Sequence, residues 1–175
     1  MLFELNNFSF LTGISFNQLL LSESSEVIVT DLFLVDLYST NSVIYVSNSN
    51  LLLQNNLFQS ITCQSLIESV NSLIELNEVT ISNVTCNTCF DLFANNAFVQ
   101  FMDVFSTSGD LFKLSEVELI DLDILNIYDS HLDTVILATN VYFEIKNVSV
   151  SDSDMRHFFN AKNLLVHATV LTSTI

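Results

Sequence analysis

Proline and tryptophan are absent from this 175-residue chain, and glycine occurs only twice. Turns that need left-handed backbone angles must therefore be made by Asn, Asp and Ser. Cations are scarce as well. Lys113, Lys146, Arg156 and Lys162 stand against 20 acidic residues and leave a formal charge of −16. Phosphate contacts need clustered Lys and Arg, so this composition argues against a nucleic-acid partner. A continuous apolar run of membrane-spanning length is missing too. The longest uncharged stretch, 37–67, is broken by Asn41, Asn48, Asn50, Gln54, Asn55, Asn56 and Gln59, and no transmembrane span is expected. Residues 1–7 carry neither the basic region nor the unbroken apolar core of a signal peptide.

Half of the chain is apolar and 14% is charged, which is too apolar for a disordered chain. The length suits one domain, 1–175. Self-similarity dominates the pattern. Apolar pairs recur at Leu2-Phe3, Leu20-Leu21, Val43-Ile44, Leu66-Ile67, Leu92-Phe93, Leu111-Phe112, Val135-Ile136 and Phe158-Phe159. Each is followed by short alternating apolar stretches and a Ser, Asn, Asp or Thr turn, with a mean spacing of roughly 22 residues over eight units. The period within a unit is two, as in Val141-x-Phe143-x-Ile145 and Val148-x-Val150, which predicts short strands with one buried face. The expected fold is all-β, a parallel β-helix of about eight coils stacked about 4.8 Å apart.

In period and pattern the chain resembles the right-handed parallel β-helix of the pectin-lyase-like superfamily. A leucine-rich repeat has an overlapping period, but its consensus Asn falls one place early at Asn83 and is missing from 111–127. Asn48, Asn71, Asn96 and Asn140 follow the apolar pairs and are expected at left-handed bends, where they can stack as amide ladders.

Cys63 and Cys86 lie one repeat apart, and Cys89 follows three residues later. Stacked positions on adjacent coils suit a disulfide, from Cys63 to either Cys86 or Cys89; reduced, partly buried thiols are the other reading. A redox or zinc centre lacks its usual surroundings. Sequons at Asn7, Asn83 and Asn147 are candidate glycan acceptors, and with the low basic content they tilt the expected location to the cell exterior or surface.

Enzymes of the resembled superfamily cleave acidic polysaccharides, using calcium with basic residues or paired Asp carboxylates. In this chain the four basic residues form no such motif, and a charge of −16 would repel a polyanion. The most catalytic-looking stretch, Asp152-Ser-Asp154-Met-Arg156-His157, reads better as a polar turn, and His131 and His167 have no evident partner constellation. Glu78, Asp103 and Asp123 fall close to one phase of the repeat, and Asp121 with Asp123 could offer Ca²⁺ some of its six to eight oxygens. Solvated acids are the favoured account, and no cofactor is expected.

The function expected is that of a non-catalytic structural or interaction β-solenoid: an extracellular scaffold, filament or surface component. Its partners would be further coils or copies of itself, joined through open ends. The strand-like N-terminus and the nearly uncharged stretch 164–175 look uncapped and suggest a segment of a longer solenoid. The alternative is a carbohydrate-binding or carbohydrate-cleaving β-helix with glycan partners.

Overall fold

Alternation of apolar and polar residues, punctuated by Asn, Asp and Ser, yields strands and almost nothing else. The protein is seen in a computed structural model that describes residues 1–7, 9–93, 96–117 and 119–173; the side chains of 9–14 and 163–173 lie outside the description. Its strands are β1 (Leu2–Asn6), β2 (Ser9–Phe16), β3 (Leu20–Glu23), β4 (Glu26–Thr30), β5 (Phe33–Ser39), β6 (Ser42–Ser47), β7 (Asn50–Val70) and β8 (Leu73–Ser82). They continue as β9 (Thr85–Phe93), β10 (Asn96–Val99), β11 (Met102–Phe105), β12 (Ser108–Ser115), β13 (Leu119–Tyr128), β14 (His131–Ser151) and β15 (Asp154–Ser173). Every pairing described is parallel and joins a residue to one about 23 positions away. The chain therefore winds into a parallel β-solenoid of about seven turns, with a repeat near 23 rather than 22. Seven turns at about 4.8 Å make a rod roughly 34 Å long.

The core is a set of axial columns. On one face Val27, Leu51, Ile74, Ala97, Ile120 and Phe143 stack in register. On the next, Leu34, Phe58, Ile81, Val104 and Ile127 do the same. A third column runs Leu20, Ile44, Ile67, Phe90, Phe112, Ile136 and Phe159. Within it the Phe90 and Phe112 rings stack with centroids 5.0 Å apart. The interior members are almost wholly excluded from solvent, so the apolar period of two becomes a continuous dry core.

The third column corrects the pairs expected from sequence. Its fourth-turn member is Cys89-Phe90, since Leu92 aligns with Ser69 and Leu114 while Phe93 points outward. Cys is a small apolar residue in a core, and a search for paired large hydrophobes passes over it. In the first turn the pair is Leu19-Leu20: Leu20 aligns with Ile44, and Leu21 is exposed. Leu2-Phe3 belongs to the first face, because Phe3 aligns with Val27. With these changes the irregular spacings of 18, 26 and 19 vanish, and the turn count falls from eight to about seven.

The scarcity of Gly and Pro is resolved at the corners. Among the described residues, fifteen non-glycine residues have positive φ, between 45° and 56°, and they fall into three axial columns. One column holds Ser24, Asn48, Asn71, Glu116 and Asn140; a second holds Asn7, Asp31, Asn55 and Glu78; the third holds Asp36, Ser60, Asn83, Ser106, Asp129 and Asp152. Thirteen of the fifteen are Asn, Asp or Ser, whose short polar side chains tolerate left-handed angles and bond locally. Asn96 departs from the expectation: it opens β10, and its Oδ1 accepts the Leu119 N–H at 3.1 Å.

Candidate functional site

Immediately after two of the corner columns the chain turns inward on a hydroxyl. Thr107, Ser130 and Ser153 follow the left-handed residues Ser106, Asp129 and Asp152. Their Oγ atoms donate to the carbonyls of Phe105, Tyr128 and Ser151, two residues back, at 2.8–2.9 Å. Ser130 Oγ also accepts the Thr107 N–H at 3.2 Å, and Ser153 Oγ accepts the Ser130 N–H at 3.0 Å. Ser25, Ser49 and Ser72 repeat the device at another corner, where Ser49 and Ser72 accept the N–H groups of Ser25 and Ser49 at 3.1 and 3.2 Å. Ser130, Ser153, Ser49 and Ser72 thus each satisfy a carbonyl of their own turn and an amide of the preceding one, at points where the strand ladder is interrupted.

The corner side chains join turns as well. Asn55 Nδ2 donates to Asp31, Asn140 Nδ2 to Glu116, and Asn83 Nδ2 to Ser60, one turn apart in each case. On a neighbouring face Asn126 Nδ2 donates to Asp103 at 2.9 Å. Amide stands on amide where Asn41 Nδ2 donates to Asn17 Oδ1 at 3.1 Å and where Asn48 and Asn71 follow one another in a corner column, while elsewhere amides pair with acids or hydroxyls. Asn56 is the one buried Asn among the described residues: Oδ1 accepts the Leu32 N–H at 2.9 Å, and Nδ2 donates to the Val29 carbonyl at 3.3 Å.

Cys63 stacks on Cys86 with Cα atoms 4.9 Å apart, and the two are joined as a disulfide across one turn. Cys89, which the sequence left as an equal partner, points into the core as a free thiol. Burial, with a smaller contribution from Asp110, pushes its pKa up to about 12.

Asp121 and Asp123 do lie together, but a protein cation sits between them. Lys146, on the following turn, places Nζ 3.2 Å from Asp121 Oδ1 and 2.5 Å from Asp123 Oδ1. The hydrogen bonds it donates to Asp123 and then Asp121 hold the ammonium above the ordinary lysine range. The ammonium occupies the position that a calcium reading requires for the metal. Asp103 aligns with Thr80 and Asn126, whereas Glu78 follows Asn77 and Asp123 follows Leu122, which aligns with Val99, so the three acids do not stack on one another and their shared phase was a coincidence of spacing. Lys113 similarly reaches Asp91 at 2.7 Å.

Asp152 is a left-handed corner residue and Asp154 opens β15, so the stretch 152–157 forms a polar turn entering a strand. His131 aligns with Asp154 on the next turn, a proximity that sequence alone did not reveal. The side chain of His167 lies outside the described residues. Asn7, Asn83 and Asn147 are all exposed, the first two at corners. No helix among the described residues is long and apolar enough to cross a membrane.

In comparisons with known families, curated proteins and solved structures, nothing matches this chain.

Proposed function

We propose that the chain is a structural or interaction β-solenoid, an extracellular scaffold, filament or surface component, built in the manner of non-catalytic pectin-lyase-like β-helices. The observation that carries this reading is the use made of polar side chains. Two hydroxyl ladders and the corner amides are engaged in joining one turn to the next, and the charged pairs Lys146 with Asp121 and Asp123, and Lys113 with Asp91, also bridge turns. The rod's strands also meet neighbours on one side only at its ends. Among the described residues β1 pairs only with β4, β2 only with β5, β3 only with β6 and β15 only with β14. Such edges pair readily with further coils or with another copy of the chain. An exposed Asn7, Asn83 and Asn147 would carry glycans outside the packed core if the chain matures in a secretory compartment.

Sedimentation velocity across a range of concentrations, with electron microscopy of the heaviest species, tests this reading. It expects elongated species that grow by rod lengths. A compact species that stays monomeric at every concentration would overturn end-to-end assembly.

A second reading, carbohydrate binding or cleavage, is favoured by one feature. Phe98 and Tyr142 are exposed on the same outward face as Glu144, aromatic surface beside a carboxylate. Glycan-array binding together with turnover of polygalacturonate would establish it.

A further inference from the structure

The charge of this rod is unevenly distributed. Residues 1–112 contain eleven acids and no Lys, Arg or His, and all four basic residues lie in 113–162. Two of those four are engaged by Asp91, Asp121 and Asp123. Asp91 apart, the acids of turns two to four consequently meet no cation among the described residues.

One of their faces also has an apolar floor. The outward side chains of β4, the start of β7 and the start of β8 form a hollow of about 110 Å³. Ile28 and Leu52 stack in register, and Leu73 stands beside them on the next turn. Glu26 and Glu75 rim this floor two turns apart, about 10 Å along the axis by strand spacing. Both residues are exposed, and no hydrogen bond or ion pair engages either carboxylate among the described residues.

We propose that this lateral face docks a basic segment of a partner protein, with Lys or Arg stems lying on Ile28, Leu52 and Leu73 and cationic heads meeting Glu26 and Glu75. Long basic side chains suit such a site because they cover apolar surface with their methylenes while keeping the charge at the edge. An extended segment advances about 3.4 Å per residue and turns every second side chain to the same face, so two cations two residues apart stand about 7 Å apart and their flexible stems span the rest of the way to both carboxylates. Charge selects this occupant. A second copy of the chain would bring −16 and only four cations, and an acidic polysaccharide would be repelled. A bare divalent ion finds two distant carboxylates and three hydrocarbon side chains in place of six to eight oxygens. The inference goes beyond end-to-end assembly, since it uses the side of the rod and holds for a single rod.

The test is fluorescence anisotropy with a labelled ten-residue peptide of alternating Lys and Thr, and with its Glu-Thr counterpart. The Lys peptide should bind, more weakly as salt rises, and the Glu peptide should not. E26Q/E75Q and L52S should each weaken binding, the double variant at least tenfold, while D152N/D154N at the far end should leave it unchanged. Melting curves confirm that each variant is folded; all these positions are solvent-facing. Failure of the Lys peptide to bind, or equal loss in D152N/D154N and E26Q/E75Q, overturns the proposal, the second result showing diffuse attraction to a polyanion.

Discussion

Gly109 lies directly over the Cys86 carbonyl: a Cβ built on Gly109 would stand 1.8 Å from the Cys86 oxygen. The two residues mark a fault in the stacking. The β9–β12 and β12–β14 registers both shift beside Gly109, and the turn from Phe90 to Phe112 is one residue shorter than the common repeat. A φ of +107° adds a second reason for glycine at this place. Gly109→Ala should therefore destabilise the protein by about 3 kcal/mol or more, through strain and a backbone clash together. Urea unfolding of the variant measures this, and an unchanged midpoint would refute the close approach.

The Cys63–Cys86 bond closes a loop of one turn. In the chain-entropy account a loop of this size stabilises by about 3 kcal/mol. Non-reducing peptide maps should find Cys63 linked to Cys86 and Cys89 free, and Cys86→Ser should lower the melting temperature. A Cys63–Cys89 link would show that the turns stack in another register.

Removal of a ladder hydroxyl leaves a buried amide without its acceptor. Ser130→Ala strips the Thr107 N–H of its partner and the Tyr128 carbonyl of its donor. We expect a loss of about 1–2 kcal/mol. Hydrogen exchange at the Thr107 amide should speed up in step, and a protected amide in the variant would count against the ladder.

Phe143 is fully buried over Ile120 and packs edge-on against Phe159. Phe143→Asp would place an unpaired carboxylate in the core and should cost at least about 4 kcal/mol. Circular dichroism should show loss of strand signal at 25 °C or a much lower melting point. A variant that melts like the parent would mean that residue 143 faces solvent.

The buried thiol of Cys89 makes the protein sensitive to alkali. Its pKa is pushed up to about 12 in the folded state, against about 8.5 for an exposed cysteine. The unfolded chain therefore releases this proton first. The protonated thiol's contribution is fully present below about pH 8.5 and is lost as the pH rises toward the folded value. Stability of Cys89→Ala should fall less between pH 9 and 11 than that of the parent. At pH 8 Cys89 should resist alkylation until denaturant is added, and rapid labelling of the native protein would contradict its burial.

Much of the fold was legible because a strand's period of two and a turn's period near 23 are both written in the order of apolar and polar residues. Leu51, Ile74, Ile120 and Phe143 each sit in an alternating stretch, and any chain that buries one face of such strands must stack them. The bends were equally visible at Asn48, Asn71 and Asn140, since little else in a chain with two glycines can take left-handed angles.

What the sequence alone determined, then, is the class of architecture, its repeat to within a residue and its strongly negative charge, because these depend on composition and local order. The tertiary structure decided which residues stand on one another. It replaced Leu92-Phe93 by Cys89-Phe90, chose Cys86 over Cys89 for Cys63, set Lys146 between Asp121 and Asp123, and separated Glu78 from Asp103. The physical reason is that turns of 22, 23 and 24 residues occur in one rod, as the steps from Phe90 to Phe112, Ile44 to Ile67 and Phe112 to Ile136 show. A shift of one residue exchanges the inward and outward faces of a strand, and only the packed, hydrogen-bonded stack decides where each extra or missing residue is absorbed.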